Sequence, residues 1–503
     1  MKRRNFLRGA LELSSLTCPA TLYAQTIPHG MGAMAGMGGE APGGASTPAS
    51  VELAANDAIP AGAMLAELPR LQNESVTPGL FRATLIAAPA TITFIPGRPS
   101  EVWTYNGMTP PPLIELNAGD RVEITLVNRL RQPTTLHWHG LPVPAEQDGN
   151  PAQLVAPGAS RVYRFTVPSD VEGLYWYHPH PHPFSAEQVY RGLAGAILVR
   201  PAVDPLAELP QRVLMVTDLK LNQDASIAEN DTLDWMNGRE GQFVLVNGQR
   251  QPRLSFSAEG RERWRILNAT NARYLRLQLP GHGFTLVGTD GGLMQSPQTG
   301  LREWLLAPAQ RIDLVVESRS AGTTPLLAAA YDRGKMGRVA KPAPIELLHV
   351  EFGVRPQPGA ALPAILRQLP NWGPASAHKQ VTMSETMSDG APHMAFLLNG
   401  RRFDMQRIDL SSRVGAVEQW EIINRSDMDH PFHIHGTQFI VLENELHGRV
   451  TRPTHQALYD TVNLKSGETV RIKLVQSLPG IRMYHCHLLE HEVLGMMGQL
   501  QVS

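Results

Sequence analysis

The chain closes on His485-Cys486-His487, followed by His491 and Met496. It carries two cysteines, and the other, Cys18, falls in a leader-like segment, so Cys486 has no partner for a bridge in a mature chain. A lone thiol set among three histidines and a methionine reads as a metal ligand. Imidazole, thiolate and a weak thioether together suit a blue-copper electron-transfer site. On an extended strand successive side chains point to opposite faces, so Cys486 faces one way while His485 and His487 face the other. One short segment can then hold a copper on its front and touch other metals on its back.

Ten of the eighteen histidines fall in four clusters. They are His137-Trp138-His139, Tyr177-His178-Pro179-His180, His430-Pro431-Phe432-His433-Ile434-His435, and His485-Cys486-His487 with His491. The spacing His-x-His recurs among them. On an extended segment it puts both imidazoles on one face, about 6–7 Å apart, able to straddle two neighbouring metals. A single such pair is weak evidence. Four clusters drawn from both ends of the chain point to metal, because every buried imidazole needs a partner. Once two join Cys486, eight remain: two for one ion and three for each of two others.

These residues need elements to position them. A length of 503 residues suggests two to four domains, at about 100–200 residues each. Basic and acidic residues balance at 45 and 46, and no basic stripe is visible, which argues against nucleic acid as a partner. No apolar run approaches the roughly 20 residues that span a bilayer. Abundant Gly and Pro, with little helical periodicity, predict an all-β protein with many turns. The start, Lys2-Arg3-Arg4-Asn5-Phe6-Leu7, reads as a twin-arginine export signal over residues 1–24, placing the mature protein in the periplasm or outside the cell. Residues 25–72, rich in Gly, Met and Pro, read as a flexible arm. Within it Met31, Met34 and Met37 are either part of a low-complexity linker or a trap for soft Cu(I).

Beyond the arm a pattern recurs three times. Tyr105-Asn106-Gly107, Gly119-Asp120 and Val127-Asn128 form the first copy. Val246-Asn247-Gly248, Gly260 and Leu267-Asn268 form the second, and Leu398-Asn399-Gly400, Gly415 and Ile423-Asn424 the third. Segments such as Arg121–Val127 alternate as strands with one buried face do. The repeat is far longer than a solenoid unit, so each copy is a domain. The expected organisation is three β-sandwiches in tandem, over 73–202, 203–355 and 379–503, with a Pro-rich linker at 356–378.

From about residue 73 to the end, the four histidine motifs resemble the multicopper oxidase family, which contains laccases, periplasmic cuprous oxidases and bilirubin oxidases. The resemblance implies three cupredoxin-like Greek-key domains and four copper ions. It implies a type 1 copper held by His430, Cys486, His491 and Met496, and a type 2 copper held by His137 and His433. The type 3 pair would take His139, His178, His180, His435, His485 and His487. The run His178-Pro179-His180-Pro181-His182 leaves a register ambiguity, and the preceding Tyr-Trp-Tyr fits the family with His182 as a bystander. Asp148 and Glu492 match acids that assist proton delivery, against the plainer readings of a turn Asp and a solvated Glu.

The implied reaction passes single electrons from a donor through Cys486 to the three-copper site, where dioxygen becomes two waters. Asp427-Met428-Asp429, just before His430, would lie on the donor side, where carboxylates and a thioether could dock Cu(I); the plainer reading is an acidic loop. The third domain has only scattered Met383, Met387 and Met394 in place of the Met-rich insertion of cuprous oxidases. Without a cover, a bulky phenol could approach the copper edge. The expectation is a monomeric, laccase-like oxidase with phenols, aromatic amines and metal ions as donors. A dedicated cuprous oxidase or a copper-sequestering protein is the alternative.

Overall fold

The computed structural model of the protein describes residues 52–257, 260–353, 361–387 and 394–503. The repeated sequence pattern turns out to be the hydrogen-bond skeleton of one sandwich used three times. In each repeat two strands run parallel: Leu80–Ile95 beside Arg121–Asn128, Gln211–Leu219 beside Arg261–Asn268, and Ala377–Met387 beside Val417–Asn424. Before the second strand of each pair comes an Asn-Gly turn. Asn106, Asn247 and Asn399 have φ of 56°, 49° and 52°, and their following glycines 71°, 77° and 72°. Two successive left-handed residues are what a two-residue hairpin demands, and Asn-Gly supplies them at least cost.

The same asparagines also pin the neighbouring strand. Their Oδ1 atoms accept from the backbone N–H of Ile86 at 2.7 Å, Met215 at 2.8 Å and Thr382 at 2.8 Å. The asparagines ending each second strand, Asn128, Asn268 and Asn424, donate to the carbonyls of Val155, Leu306 and Leu464. Alternate residues of Arg121–Asn128 and Val417–Asn424 are buried, so each strand gives one face to a core. Two sheets close each core: four and four strands in the first domain, seven and five in the second, six and five in the third. The fold is all-β, built of cupredoxin-like sandwiches.

Among the described residues three short α-helices stand out, one per domain: Ser185–Tyr190, Thr232–Asn237 and Leu489–Val493. The first two both pack on the third. No helix among the described residues is long and apolar enough to cross a membrane.

One expectation needs correction. The arm was expected to run free to residue 72, yet residues 52–72 are laid along the body. Leu53 bridges to Asn222, Ala61 to Arg250, Met64 to Arg253 and Arg70 to Leu113. Ala54, Ile59 and Leu68 are buried. A segment attached through isolated backbone bridges needs no periodic pattern, so its lack of periodicity was not a sign of freedom. The rest of the arm, with its methionines, and the expected export signal lie outside the described residues. The linker is likewise strapped down over 361–376. Leu366 packs into the middle core, and Arg367 donates to the carbonyls of Gly291 at 2.6 Å and Asp170 at 2.5 Å. Third-domain pairing begins at Ala377.

If residues 52–72 are structural, Leu68→Ala should cost about 2–3 kcal/mol, the usual penalty for emptying a buried leucine site. Urea unfolding of the copper-free chain measures this; a change under about 0.5 kcal/mol, the scale of surface substitutions, would mean the strap is superficial.

Candidate metal centres

The third domain places two histidine clusters side by side through strand pairing. Strand His430–Ile434 lies antiparallel to Gly480–Cys486, with Phe432 opposite Cys486 and His433 opposite His485. In the first domain His137–His139 pairs with Gly173–His178, setting His137 opposite His178. The two domains meet so that all ten clustered histidines and Cys486 are buried.

Around Cys486, His430 Nδ1 lies 3.3 Å from Sγ and 3.3 Å from His491 Nδ1. Cys486 N–H donates to the Met496 carbonyl at 3.0 Å, bringing that buried methionine beside the group. Phe396 stacks on the His491 ring at 3.7 Å, and Phe432, Leu488 and Met428 complete an apolar wall. Burial raises the Cys486 thiol, while burial and the nearby Arg333 charge push His430 down to about 3. Two neutral imidazoles and a thiol in such a wall have little use for one another, but they are the donors a soft metal ion takes, with the thiol as thiolate.

Behind Cys486 the other eight imidazoles share a second site. Most have one ring nitrogen fixed by an oxygen that can only accept, which settles where the proton sits. His137 Nδ1 donates to the Asp148 carbonyl at 2.8 Å, His433 Nδ1 to the Asp460 carbonyl at 2.8 Å, and His178 Nδ1 to the Pro179 carbonyl at 3.0 Å. His485 Nδ1 donates to the Cys486 carbonyl at 2.9 Å, His139 Nε2 to Asp460 Oδ1 at 3.0 Å, and His435 Nδ1 to Asp148 Oδ2 at 3.1 Å.

The opposite nitrogens are turned on one another. His485 Nε2 lies 3.2 Å from His180 Nε2 and 3.1 Å from His435 Nε2. Nitrogens sharing a metal at about 2.0 Å stand roughly 3.3–3.5 Å apart, so these lone pairs are arranged as ligands are. His137 Nε2, His433 Nε2, His139 Nδ1, His178 Nε2 and both nitrogens of His487 are buried without a hydrogen-bond partner. Burial and mutual repulsion hold His139, His178, His180, His435, His485 and His487 far below the usual histidine range, so they stay neutral and able to bind metal. The donors therefore fit the coppers that the sequence resemblance implies. His182 stands apart from these groups, edge-on to Phe403.

Both expected acids reach this site. Asp148 is buried, with Oδ1 3.2 Å from His137 Nδ1 and Oδ2 3.1 Å from His435 Nδ1. Burial raises its pKa, but His137 and Arg482 outweigh that and hold it below the ordinary range. Glu492 lies 3.7 Å from His180 Nδ1 and 3.6 Å from His485 Nδ1, and accepts from Ser185 Oγ at 2.7 Å. Burial, with Glu490 adding, pushes it up to about 8 against the Ser185 bond.

The expected donor side differs. Asp427 is exposed, but Met428 and Asp429 are buried. Asp429 accepts from Tyr331 Oη at 2.5 Å and Asn463 Nδ2 at 3.0 Å, and its N–H donates to the Arg333 carbonyl. Arg333 also reaches Met428 Sδ at 3.8 Å. The middle domain thus covers this face, which a reading of the third domain alone left open. Its helix Thr232–Asn237 also caps His491, whose Nε2 donates to the Met236 carbonyl at 3.1 Å.

The sequence reading missed Asp460. It is buried, fixes His139 and His433, and is gripped by Arg311 of the middle domain, with Nη1 to Oδ1 at 2.8 Å and Nη2 to Oδ2 at 2.5 Å. Only its place at the head of strand Thr461–Leu464, paired with His430–Ile434, would have pointed to it.

Fold and site together define a three-domain scaffold with buried clusters of metal-ligating side chains, and similarity to known proteins gives its family. Multicopper oxidase family profiles match residues 87–204, 212–351 and 374–503. The multicopper oxidase mco of Staphylococcus aureus is 34% identical over 441 residues, 84% of this chain and 88% of that protein. The solved multicopper oxidase from Campylobacter jejuni, described as a metallo-oxidase, is 42% identical with a TM-score of 0.87, covering 90% of this chain and 98% of that one. The cell division protein FtsP of Dickeya dadantii is 28% identical over 419 residues, 80% of this chain and 85% of that protein. The chain belongs to the multicopper oxidase family.

Asp460→Asn should weaken copper retention by the histidine cluster about 10–100-fold, the usual effect of losing a group that orients a ligand. Titration of the copper-free protein against a chelator measures it; unchanged affinity would remove Asp460 from the metal-orienting set.

Proposed function

We propose that the protein couples one-electron oxidation of small donors to four-electron reduction of dioxygen to two waters. The observation that carries this reading is the set of buried imidazole nitrogens with nothing but one another to face, joined to Cys486 through its own backbone neighbours. When bound, one copper at Cys486 and three at the histidine cluster supply the one-electron steps and the store of four electrons. The protein's part is to hold these groups apart from water and in register. Cys486 is bonded directly to His485 and His487, so a path of covalent bonds alone leads from sulfur to cluster. His137 and His433 would hold the single ion. His139, His178 and His487, and His180, His435 and His485, would hold the pair. Glu492, pushed up to about 8, retains a proton near neutral pH to give to reduced oxygen, while the ionised Asp148 orients His137 and His435 and relays protons.

The cover over Cys486 supports a small or ionic donor, such as Cu(I), over a bulky phenol or aromatic amine. His491 Nε2 is capped, whereas the outward nitrogen of His430, Nε2, lies 3.9 Å from Glu385 Oε2. Glu385 in turn accepts from the N–H of exposed Asp427 at 3.0 Å, which sets two carboxylates on the His430 side of the site. The description of the Campylobacter jejuni relative as a metallo-oxidase points the same way. A role in cell division, which the name of the FtsP relative gives for that protein, offers no reason of its own to bury these metal-ligating side chains. Export by the twin-arginine route, with copper loaded before crossing, is part of the same proposal.

Cys486→Ser should abolish the visible colour of the copper-loaded protein and its donor-dependent oxygen uptake while leaving cluster copper in place. Sustained uptake, read with an oxygen electrode alongside elemental analysis, would refute the wiring. Glu385→Gln should shift the ratio of Cu(I) to phenol oxidation about tenfold toward the phenol, the equivalent of about 1.4 kcal/mol. Steady-state kinetics on both donors tests it, and an unchanged ratio would move the donor site elsewhere.

A further inference from the structure

A buried cation stands beside the Cys486 site and belongs to no ligand set. Arg333 follows the middle-domain strand Gly322–Ala329 and is 2% exposed. Its carbonyl accepts from the N–H of Asp429 at 2.8 Å, one residue before His430. Gly334, at φ 79°, permits that approach, since a Cβ there would lie 2.4 Å from the Asp427 carbonyl oxygen. The guanidinium Nη1 lies 3.8 Å from Met428 Sδ, and Met428 packs in the same apolar core as Cys486 and Met496. Through Met428 the cation abuts the wall of the site.

Its charge is only partly cancelled. Glu240 Oε1 takes Arg333 Nη2 at 3.2 Å, but the same carboxylate takes Lys335 Nζ at 2.8 Å and Arg273 Nη1 at 3.4 Å. Asp218 adds a second carboxylate, 3.0 Å from Arg273 Nε. Three cations thus share two carboxylates. Nη2 also donates to the carbonyl of Asn237, the last residue of helix Thr232–Asn237, and the guanidinium lies over the Tyr274 ring, 5.6 Å from its centre. These contacts fix the group without neutralising it. Burial holds His430 and His491 below the usual histidine range and lifts the Cys486 thiol, and the field of Arg333 reaches all three. Glu385, 3.9 Å from His430 Nε2, is an opposing charge, but 17% of its side chain is in solvent, which screens it. Arg333 has no such screening.

We propose that Arg333, acting by charge across Met428, raises the reduction potential of a copper held at Cys486 and so extends the range of donors toward weaker reductants. The proposal rests on the reading of Cys486 as the point of electron entry. In that step a donor loses one electron and Cu(II) becomes Cu(I); no bond to Arg333 forms and no proton moves. The positive charge of the site falls by one unit, so a fixed cation nearby costs the oxidised form more than the reduced one. A guanidinium cannot shed its proton to escape that cost. Glu240, which shares the cation, acts in the opposite sense. The middle domain, which brings none of the clustered histidines, thereby sets how strongly the site pulls on an electron.

Redox titration of the visible copper band, on the copper-loaded full chain, measures the potential directly. Arg333→Met should lower it by about 59 mV, a tenfold change in the one-electron equilibrium constant, with the position of the band kept. Arg333→Lys, which retains the charge, should hold most of the wild-type value. Glu240→Gln should raise the potential, and opposite shifts from two neighbouring substitutions are not what a loosened domain contact produces. An unchanged potential in Arg333→Met or in Glu240→Gln, or shifts of one sign in both, would overturn the proposal. So would a fall in Arg333→Lys as large as in Arg333→Met. Should Arg333→Met not fold, Glu240→Gln decides, and a potential equal to or below the wild-type value counts against the role of Arg333. A wild-type protein with no visible band would instead remove the reading of Cys486 itself, and this proposal with it.

Discussion

A single buried guanidinium ties the three domains together at the point where the metal ligands meet. Arg311, in the middle domain, donates to the Leu174 carbonyl of the first domain at 2.9 Å, to the Asp290 carbonyl of its own at 2.9 Å, and to both carboxylate oxygens of Asp460 in the third. Asp460 passes the constraint on to His139 and His433, one from each terminal domain. Arg311 and His139 overcome the burial of Asp460 and hold it well below the usual carboxylate range, so it stays charged. Burial and the charge of Asp460 push the neighbouring Asp290 up to about 7. A cation and an anion this deep are each costly alone, so the pair is sound only while the three domains stay docked. The middle domain holds none of the clustered histidines, yet it sets the geometry of those that the others bring.

The same logic explains why so many imidazoles tolerate burial. Each fixed nitrogen has an oxygen to donate to, and the opposite lone pair is left for a metal. Without the ion those lone pairs are unpaired in a low-dielectric site, a standing cost that metal binding relieves. A metal ion held there would therefore stabilise the folded chain. Cys486 follows the same rule, since its thiol is raised by burial and becomes a thiolate only with a cation beside it.

Access is decided by the middle domain too. Helix Thr232–Asn237 and the stretch Tyr331–Met336 lie over the Cys486 site, capping His491 and burying Met428 and Asp429. The His430 side carries a carboxylate instead, Glu385, 3.9 Å from Nε2. What lies over these metal-ligating side chains is thus set by a neighbouring domain and not by the ligands themselves.

The sequence alone pointed to the clustered histidines with Cys486, and determined the repeat and the fold class. His-x-His, His-Cys-His and Asn-Gly are local patterns, and their meaning follows from strand geometry and turn conformation over two or three residues. The tertiary structure decided what those patterns face. Asp460 and His139 lie 321 positions apart, and nothing around either residue announces the other. Arg311, Arg482, the strap at 52–72 and the burial of Met428 have the same origin. They answer to contacts between domains, where a charge or an apolar side chain takes its role from what it is packed against.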